Sequence, residues 1–257
     1  MREGRSAPPP GPSAPGGGGA SDPQDRAARG EDSGGPGAER VLQVRRLGTV
    51  PYRRGLEIQA ELVTARREGR IPDTLLLLEH PHVITLGTSS STEHVLADEA
   101  ERTRMGIELY ETGRGGDVTY HGPGQLVGYP ILDLKPDRRD LHRYLRDLEG
   151  VLLSVLDRFG VSGHREEGLT GVWCAQGKIA AIGVRVSSGW ITSHGFALNV
   201  DPDLTYFGSI VPCGIRDRQV TSMARVLGRD LQVEAVIPEV EEALARRFGR
   251  ELDRGTV

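Results

Sequence analysis

Not one of the first forty residues is Val, Ile, Leu, Phe, Trp or Tyr, whereas ten are Gly and seven are Pro. Such a stretch cannot bury enough apolar surface to offset the entropy of ordering it, so residues 1–40 are expected to form a disordered tail. A packed core must therefore come from residues 41–257, 217 positions in all, enough for one domain of upper-middle size or two small ones.

Apolar periodicity places the elements of that core. Val41 to Arg46 reads as a strand, Pro51 to Arg67 as a helix with Leu56, Ala60 and Val63 on one face, and Thr74 to Glu79 as a buried strand. His82 to Gly87 reads as a neighbouring strand after a turn at Pro81. From Asp140, apolar residues at Leu141, Tyr144, Leu145, Leu148, Val151, Leu152, Val155, Leu156 and Phe159 predict a long amphipathic helix that stops at Gly160. Ile179 to Val186 and Trp190 to Val200 read as a hairpin turning at Ser187-Ser188-Gly189. Val220 to Leu227 marks a short helix, and Pro238 is expected to start the last one, which ends at Gly249. Strands and helices intersperse without regular alternation, so the expected fold class is α/β (α+β) with a mixed sheet, neither a Rossmann nor a TIM layout.

Charge excludes some partners. The net charge is -4, which argues against sequence-independent nucleic-acid binding. No stretch has the ~18 to 20 apolar residues a membrane helix requires, and the N-terminal stretch lacks a signal-peptide core, so the expected location is cytoplasmic. Cys174 and Cys213 are read as free thiols. Of the 32 basic residues 30 are Arg, and only Lys135 and Lys178 are Lys. A position that keeps an amine in such a chain invites a role guanidinium cannot fill, because Lys can lose its proton when desolvated.

Several segments carry candidate chemistry. Arg114 to Leu126 packs four Gly among Arg, Asp, Thr, Tyr, His and Gln; it forms either a wall along which an extended substrate lies or a pair of tight turns. Cys213, between Pro212 and Gly214, is either an accessible nucleophile or a small buried hydrophobe, and a nucleophile needs a cation or base beside it. Lys178 opens the apolar run Ile179 to Val184, where it serves either Cys213 as base or cation, or the sheet as an edge charge. Lys135 reads as an exposed turn lysine. His121 and His194 are candidates for a site wall or for structural hydrogen bonding. His80 and His82 have no second pair at metal-binding spacing, so no metal is expected.

Taken together, the segments Arg114-Gly115-Gly116-Asp117-Val118-Thr119-Tyr120-His121-Gly-Pro-Gly-Gln, Gly171-Val-Trp with Lys178-Ile-Ala-Ala181-Ile182-Gly183, His194-Gly195-Phe196-Ala197-Leu-Asn199 and Val211-Pro-Cys213-Gly resemble the octanoyltransferases of the lipoate pathway. The resemblance runs from about Thr74 to Gly228. It implies a single catalytic domain over 41–257 with the biotin/lipoate protein ligase fold, a mixed sheet flanked by helices plus a smaller second sheet. It implies transfer of octanoyl from acyl carrier protein to a lysine of lipoyl domains, those of 2-oxoacid dehydrogenase complexes and the glycine cleavage H protein, without ATP or metal. By the same resemblance Cys213 is the acyl-thioester nucleophile and Lys178 the lysine that tunes it. Arg114 to His121, Ala181-Ile182-Gly183 and Gly195-Phe196-Ala197 line the substrate pocket. Cys174 stands where the family pattern has an apolar residue such as Val. The competing readings are an ATP-dependent lipoate or biotin ligase, a non-catalytic module that binds lipoyl domains or acyl carriers, and a thioesterase.

Overall fold

A computed structural model describes residues 41–136, 138–211 and 219–254. The expected tail, and Cys213 with the rest of 212–218, lie outside the described residues.

The chain enters through β1 (Val41–Thr49), crosses helix α1 (Tyr52–Arg67) and returns as β2 (Asp73–Glu79), which pairs parallel to β1. Leu75 to Leu78 in β2 are all at most 2% exposed, and alternation sends them to two different cores. Leu75 and Leu77 pack with the helices on one face, and Leu76 and Leu78 pack with Leu62 of α1 on the other. Burying each such side chain contributes about 1.5–3 kcal/mol, which pins the register because a one-residue slip would exchange the two faces.

The next strand, β3 (Val83–Leu86), does not lie beside β2 as its sequence proximity predicted. It joins β4 (Glu108–Glu111) and β5 (Thr119–His121) in a separate three-stranded sheet. Helix α2 (Glu99–Met105) precedes β4. Ile84, Leu86, Val118 and Tyr120 build a third, smaller core there with Ile107 and Ile210, so Pro81 separates two sheets rather than two neighbouring strands. β6 (Gln125–Ile131) returns to the large sheet, followed by α3 (Leu141–Arg158), β7 (Val172–Cys174), β8 (Gly177–Val186) and β9 (Thr192–Asn199). Helices α4 (Met223–Leu227) and α5 (Val233–Phe248) and the short β10 (Glu251–Asp253) complete the described residues, in which the large sheet has the order β10-β1-β2-β6-β9-β8-β7.

The long helix and the hairpin sit where periodicity placed them. Asp140 caps α3 by accepting from the Arg143 N–H at 3.0 Å, and β8 pairs with β9 antiparallel from Ala180–Leu198 to Val186–Thr192. The last helix is a correction. Pro238 lies inside α5, five residues beyond its first residue Val233. The missing proline N–H removes one helical bond, while Val233 and Val236 before it and Val240 and Leu244 after it are buried on α3 and the sheet, and that packing carries the helix through. Among the described residues no helix is long and apolar enough to cross a membrane.

Candidate active site

Strands β6, β8 and β9, the start of α1 and the loop between β4 and β5 enclose a cavity of ≈ 220 Å³. The loop reaches it because Arg114, buried at 7% exposure, is tied down. Its Nη2 donates to the Thr85 carbonyl at 2.6 Å, its Nε to Thr85 Oγ1 at 3.1 Å and its Nη1 to the Gly115 carbonyl at 3.1 Å. Asp117 accepts from the Val118 N–H at 2.7 Å and lies 2.7 Å from His94 Nδ1. The His94 carbonyl in turn accepts the Val211 N–H at 2.8 Å, the last described residue before the segment that carries Cys213.

Most sequence-selected residues meet at this cavity. Arg114, Gly116, Asp117, Val118, Thr119 and His121 line one side; Ala181, Ile182 and Gly183 of β8 and Gly195, Phe196 and Ala197 of β9 line the other. Two do not. Gly115 instead donates its N–H to the Val184 carbonyl at 2.9 Å, and Tyr120, between Thr119 and His121 on β5, alternates to the opposite face. There its hydroxyl bonds His82 Nδ1 at 2.7 Å and its ring stacks at 5.4 Å on Tyr206. Lys135 is half-exposed beside Asp133 and remote in role, as expected of a turn lysine.

Lys178 also lines the cavity, 8% exposed, with Nζ 5.3 Å from the centre of the Trp173 ring. Two glycines make this position possible. Gly177 has φ +124°, and a Cβ on it would come within 2.3 Å of the Gln219 carbonyl oxygen; without one, the returning chain pairs directly with β8, Lys178 N–H donating to Gln219 O and Thr221 N–H to Lys178 O, each at 2.9 Å. Gly171, also at φ +124°, lets the chain pass where a Cβ would sit 2.8 Å from Lys178 Cε. Its N–H donates to Glu149 of α3 at 3.2 Å. Glu149 is fully buried and paired with Arg146 at 2.7 Å and Arg165 at 2.8 Å, so a buried carboxylate shared by two partly exposed arginines anchors the turn that walls the lysine.

Three neutral imidazoles complete the wall and its support. His80 is fully buried; Nδ1 faces the Val50 carbonyl at 2.6 Å, so it carries the hydrogen, and Nε2 accepts from the Tyr129 hydroxyl at 2.8 Å. Burial holds its pKa down at about 4. Burial, then the neighbouring His80, pushes His121 down to about 3. Burial, then the Arg114 guanidinium, takes His194 to about 4. His194 sits at φ 55°, a left-handed conformation rare for a residue with a Cβ, held by its N–H donating to Gln59 Oε1 at 2.8 Å. Both alternatives raised for His121 and His194 thus hold together: each is buried and hydrogen-bonded through ring or backbone, and each faces the cavity.

Sequence reasoning gave no role to Gln125 and Asn199, which the structure places in the wall as buried polar groups. The available signal was a polar residue at the edge of an otherwise apolar strand. Among the described residues no cluster of His, Cys, Asp and Glu could hold a metal ion. A cavity lined by Val127, Ile182, Phe196 and Ala197 together with buried polar groups suits an aliphatic chain bearing a reactive carbonyl.

Comparison with known proteins agrees with this chemistry. Residues 51–245 match the family of the lipoyl protein ligase A/B catalytic domain. The octanoyltransferase of Rubrobacter xylanophilus is 54% identical over 211 residues, spanning 81% of this chain and 95% of that one. That of Solibacter usitatus is 52% identical over 210 residues, spanning 82% and 92%. Among solved structures, lipoate-protein ligase A bound with ATP superposes with a TM-score of 0.66 at 15% identity, over 85% of this chain and 89% of that one. A bipartite lipoate protein ligase from Thermoplasma acidophilum gives 0.65 at 16%, over 85% and 87%. At such identities the structures share the fold alone. The chain belongs to the lipoyl protein ligase A/B catalytic-domain family and, within it, to the octanoyltransferases.

Proposed function

We propose that the chain transfers octanoyl in two steps through a cysteine thioester, with acyl carrier protein as donor and the lysine of a lipoyl domain as acceptor. It is an acyltransferase of lipoate biosynthesis. Cys213 as thiolate attacks the donor thioester, the carrier leaves as its thiol, and the acceptor ε-amine then attacks the acyl-cysteine to give an amide. The first step exchanges one thioester for another and the second yields the more stable amide, so the route requires neither ATP nor a metal. Lys178 either stabilises the thiolate or removes a proton; both roles need it beside the sulfur.

One observation carries the reading. Lys178 lines the apolar cavity while its backbone pairs with Gln219 and Thr221, the first described stretch after the Cys213 segment. Val211, two residues before Cys213, is tied through His94 to Asp117 in the opposite wall. The described residues on both sides of 212–218, Val211 and Gln219, are thus tied to walls of this cavity. The acceptors in this proposal are lipoyl domains of 2-oxoacid dehydrogenase complexes and the glycine cleavage H protein. Incubation with octanoyl-carrier protein and an apo lipoyl domain, without nucleotide, should give the octanoylated domain by mass spectrometry. Product formed only from free octanoate and ATP would assign the chain to the ligases instead, and release of free octanoate would make it a thioesterase.

A further inference from the structure

Two buried amides tie the glycine loop to the chain paired with Lys178, and their hydrogen bonds have only one consistent direction. The Thr221 carbonyl can only accept, so Asn199 turns Nδ2 toward it at 3.0 Å and presents Oδ1 on the other side. That oxygen must receive a hydrogen, and Gln125 Nε2 donates it at 2.8 Å. Gln125 Oε1 is left to accept and faces His121 Nδ1 at 2.6 Å. A neutral imidazole with its hydrogen on Nδ1 carries a bare lone pair on Nε2. Among the described residues that Nε2 has no hydrogen-bond partner, although His121 is 7% exposed and lines the cavity. The carbonyl of Thr221, whose own N–H donates to Lys178 O, therefore sets through two side-chain amides which histidine nitrogen carries the hydrogen.

We infer that Gln125 and Asn199 are positioning residues that lock His121 in the Nδ1–H tautomer, so that Nε2 accepts an N–H of the amine attacking the acyl group. The inference rests on the acyl transfer proposed above. An ammonium entering this cavity would meet the Arg114 guanidinium; a neutral amine needs an acceptor for its N–H while its own lone pair stays free for the carbonyl carbon. The other groups facing His121 are His80 and His194, both neutral, and the Tyr52 ring stacked at 6.2 Å; Lys178 belongs to β8 in the opposite wall. Burial keeps the ring unprotonated, so it orients the amine rather than storing its proton. As the C–N bond forms and the C–S bond breaks, the proton lost by nitrogen ends on the departing sulfur, and no further reactant is consumed.

The test pairs a spectrum with kinetics. Side-chain 15N NMR of the full chain should show the His121 hydrogen on Nδ1, and Gln125→Met, which keeps the length of the side chain but neither polar atom, should shift it wholly or partly to Nε2. In initial-rate kinetics with both protein substrates, Gln125→Met and Asn199→Leu should lower kcat/KM for the acceptor domain by about tenfold and that for the donor by less than about threefold. A wild-type ring with its hydrogen on Nε2, or equal losses for both substrates, would overturn the inference. Intersecting rather than parallel initial-rate lines would sink the acyl-cysteine relay alone, and the 15N spectrum would still decide the lock.

Discussion

Lowering the pH from 7 to 5 should destabilise this protein steeply, because three buried imidazoles stay neutral in the folded chain. Unfolded, each takes up a proton near its ordinary 6.5; folded, His80 and His194 do so only near 4 and His121 near 3. Between those values the unfolded state binds more protons, so stability is complete above 6.5 and falls as pH drops toward 4. Linkage over pH 7 to 5 gives about 1.9 kcal/mol per ring, or roughly 5–6 kcal/mol for three, comparable with the ~5–15 kcal/mol total of a typical domain. Urea unfolding at pH 7, 6 and 5 reads this directly as a shift in midpoint at constant slope. His80→Gln removes one titrating ring; its stability at pH 7 should fall, and its loss between pH 7 and 5 should shrink by about a third, one proton of three. A free energy that stays within ~1 kcal/mol across the range, or a pH slope that no single His replacement reduces, would refute the assignment of neutral rings.

Other perturbations probe the site. Lys178→Met should cut turnover by at least ~10²-fold with an unchanged unfolding midpoint. Lys178→Arg, which keeps a cation but cannot give up a proton, should also be impaired if Lys178 acts as base; full activity in that variant would leave only the cation role. Glu149→Leu leaves the buried Gly171 N–H without its acceptor and frees two partly exposed arginines, and should cost about 1–3 kcal/mol in urea unfolding, whereas Glu149→Gln should cost less. If part of the Arg-rich surface steers acidic protein substrates, kcat/KM should fall as ionic strength rises; indifference to salt would count against a docking patch.

The sequence was most legible where one physical signal dominated. The α3 periodicity, its Asp140 cap and the β8–β9 hairpin are local, and they stand where expected. Alternation cannot tell which sheet a strand joins, and β3 went to the small sheet because its partners come from residues 108–111 and 119–121. The short strands β4 and β10 carry mostly exposed polar residues and offered no apolar pattern to read. Pro238 misled because tertiary packing of Val233 and Val236 outweighed one lost helical bond. In the site, the glycine loop and the β8 and β9 segments were visible as motifs, whereas Tyr120 needed the strand alternation of β5 to be turned away. Gln125 and Asn199 stood inside quoted motifs, yet their role depends on a bond between residues 74 positions apart, which no local pattern encodes.

The most direct measurement is peptide mapping after rapid mixing of the protein with octanoyl-carrier protein alone. A single octanoyl group on Cys213, discharged when an apo lipoyl domain is added and missing in Cys213→Ser, is the expected result. Octanoylated lipoyl domain formed at full rate by Cys213→Ser, with no adduct on the wild type, would contradict the relay.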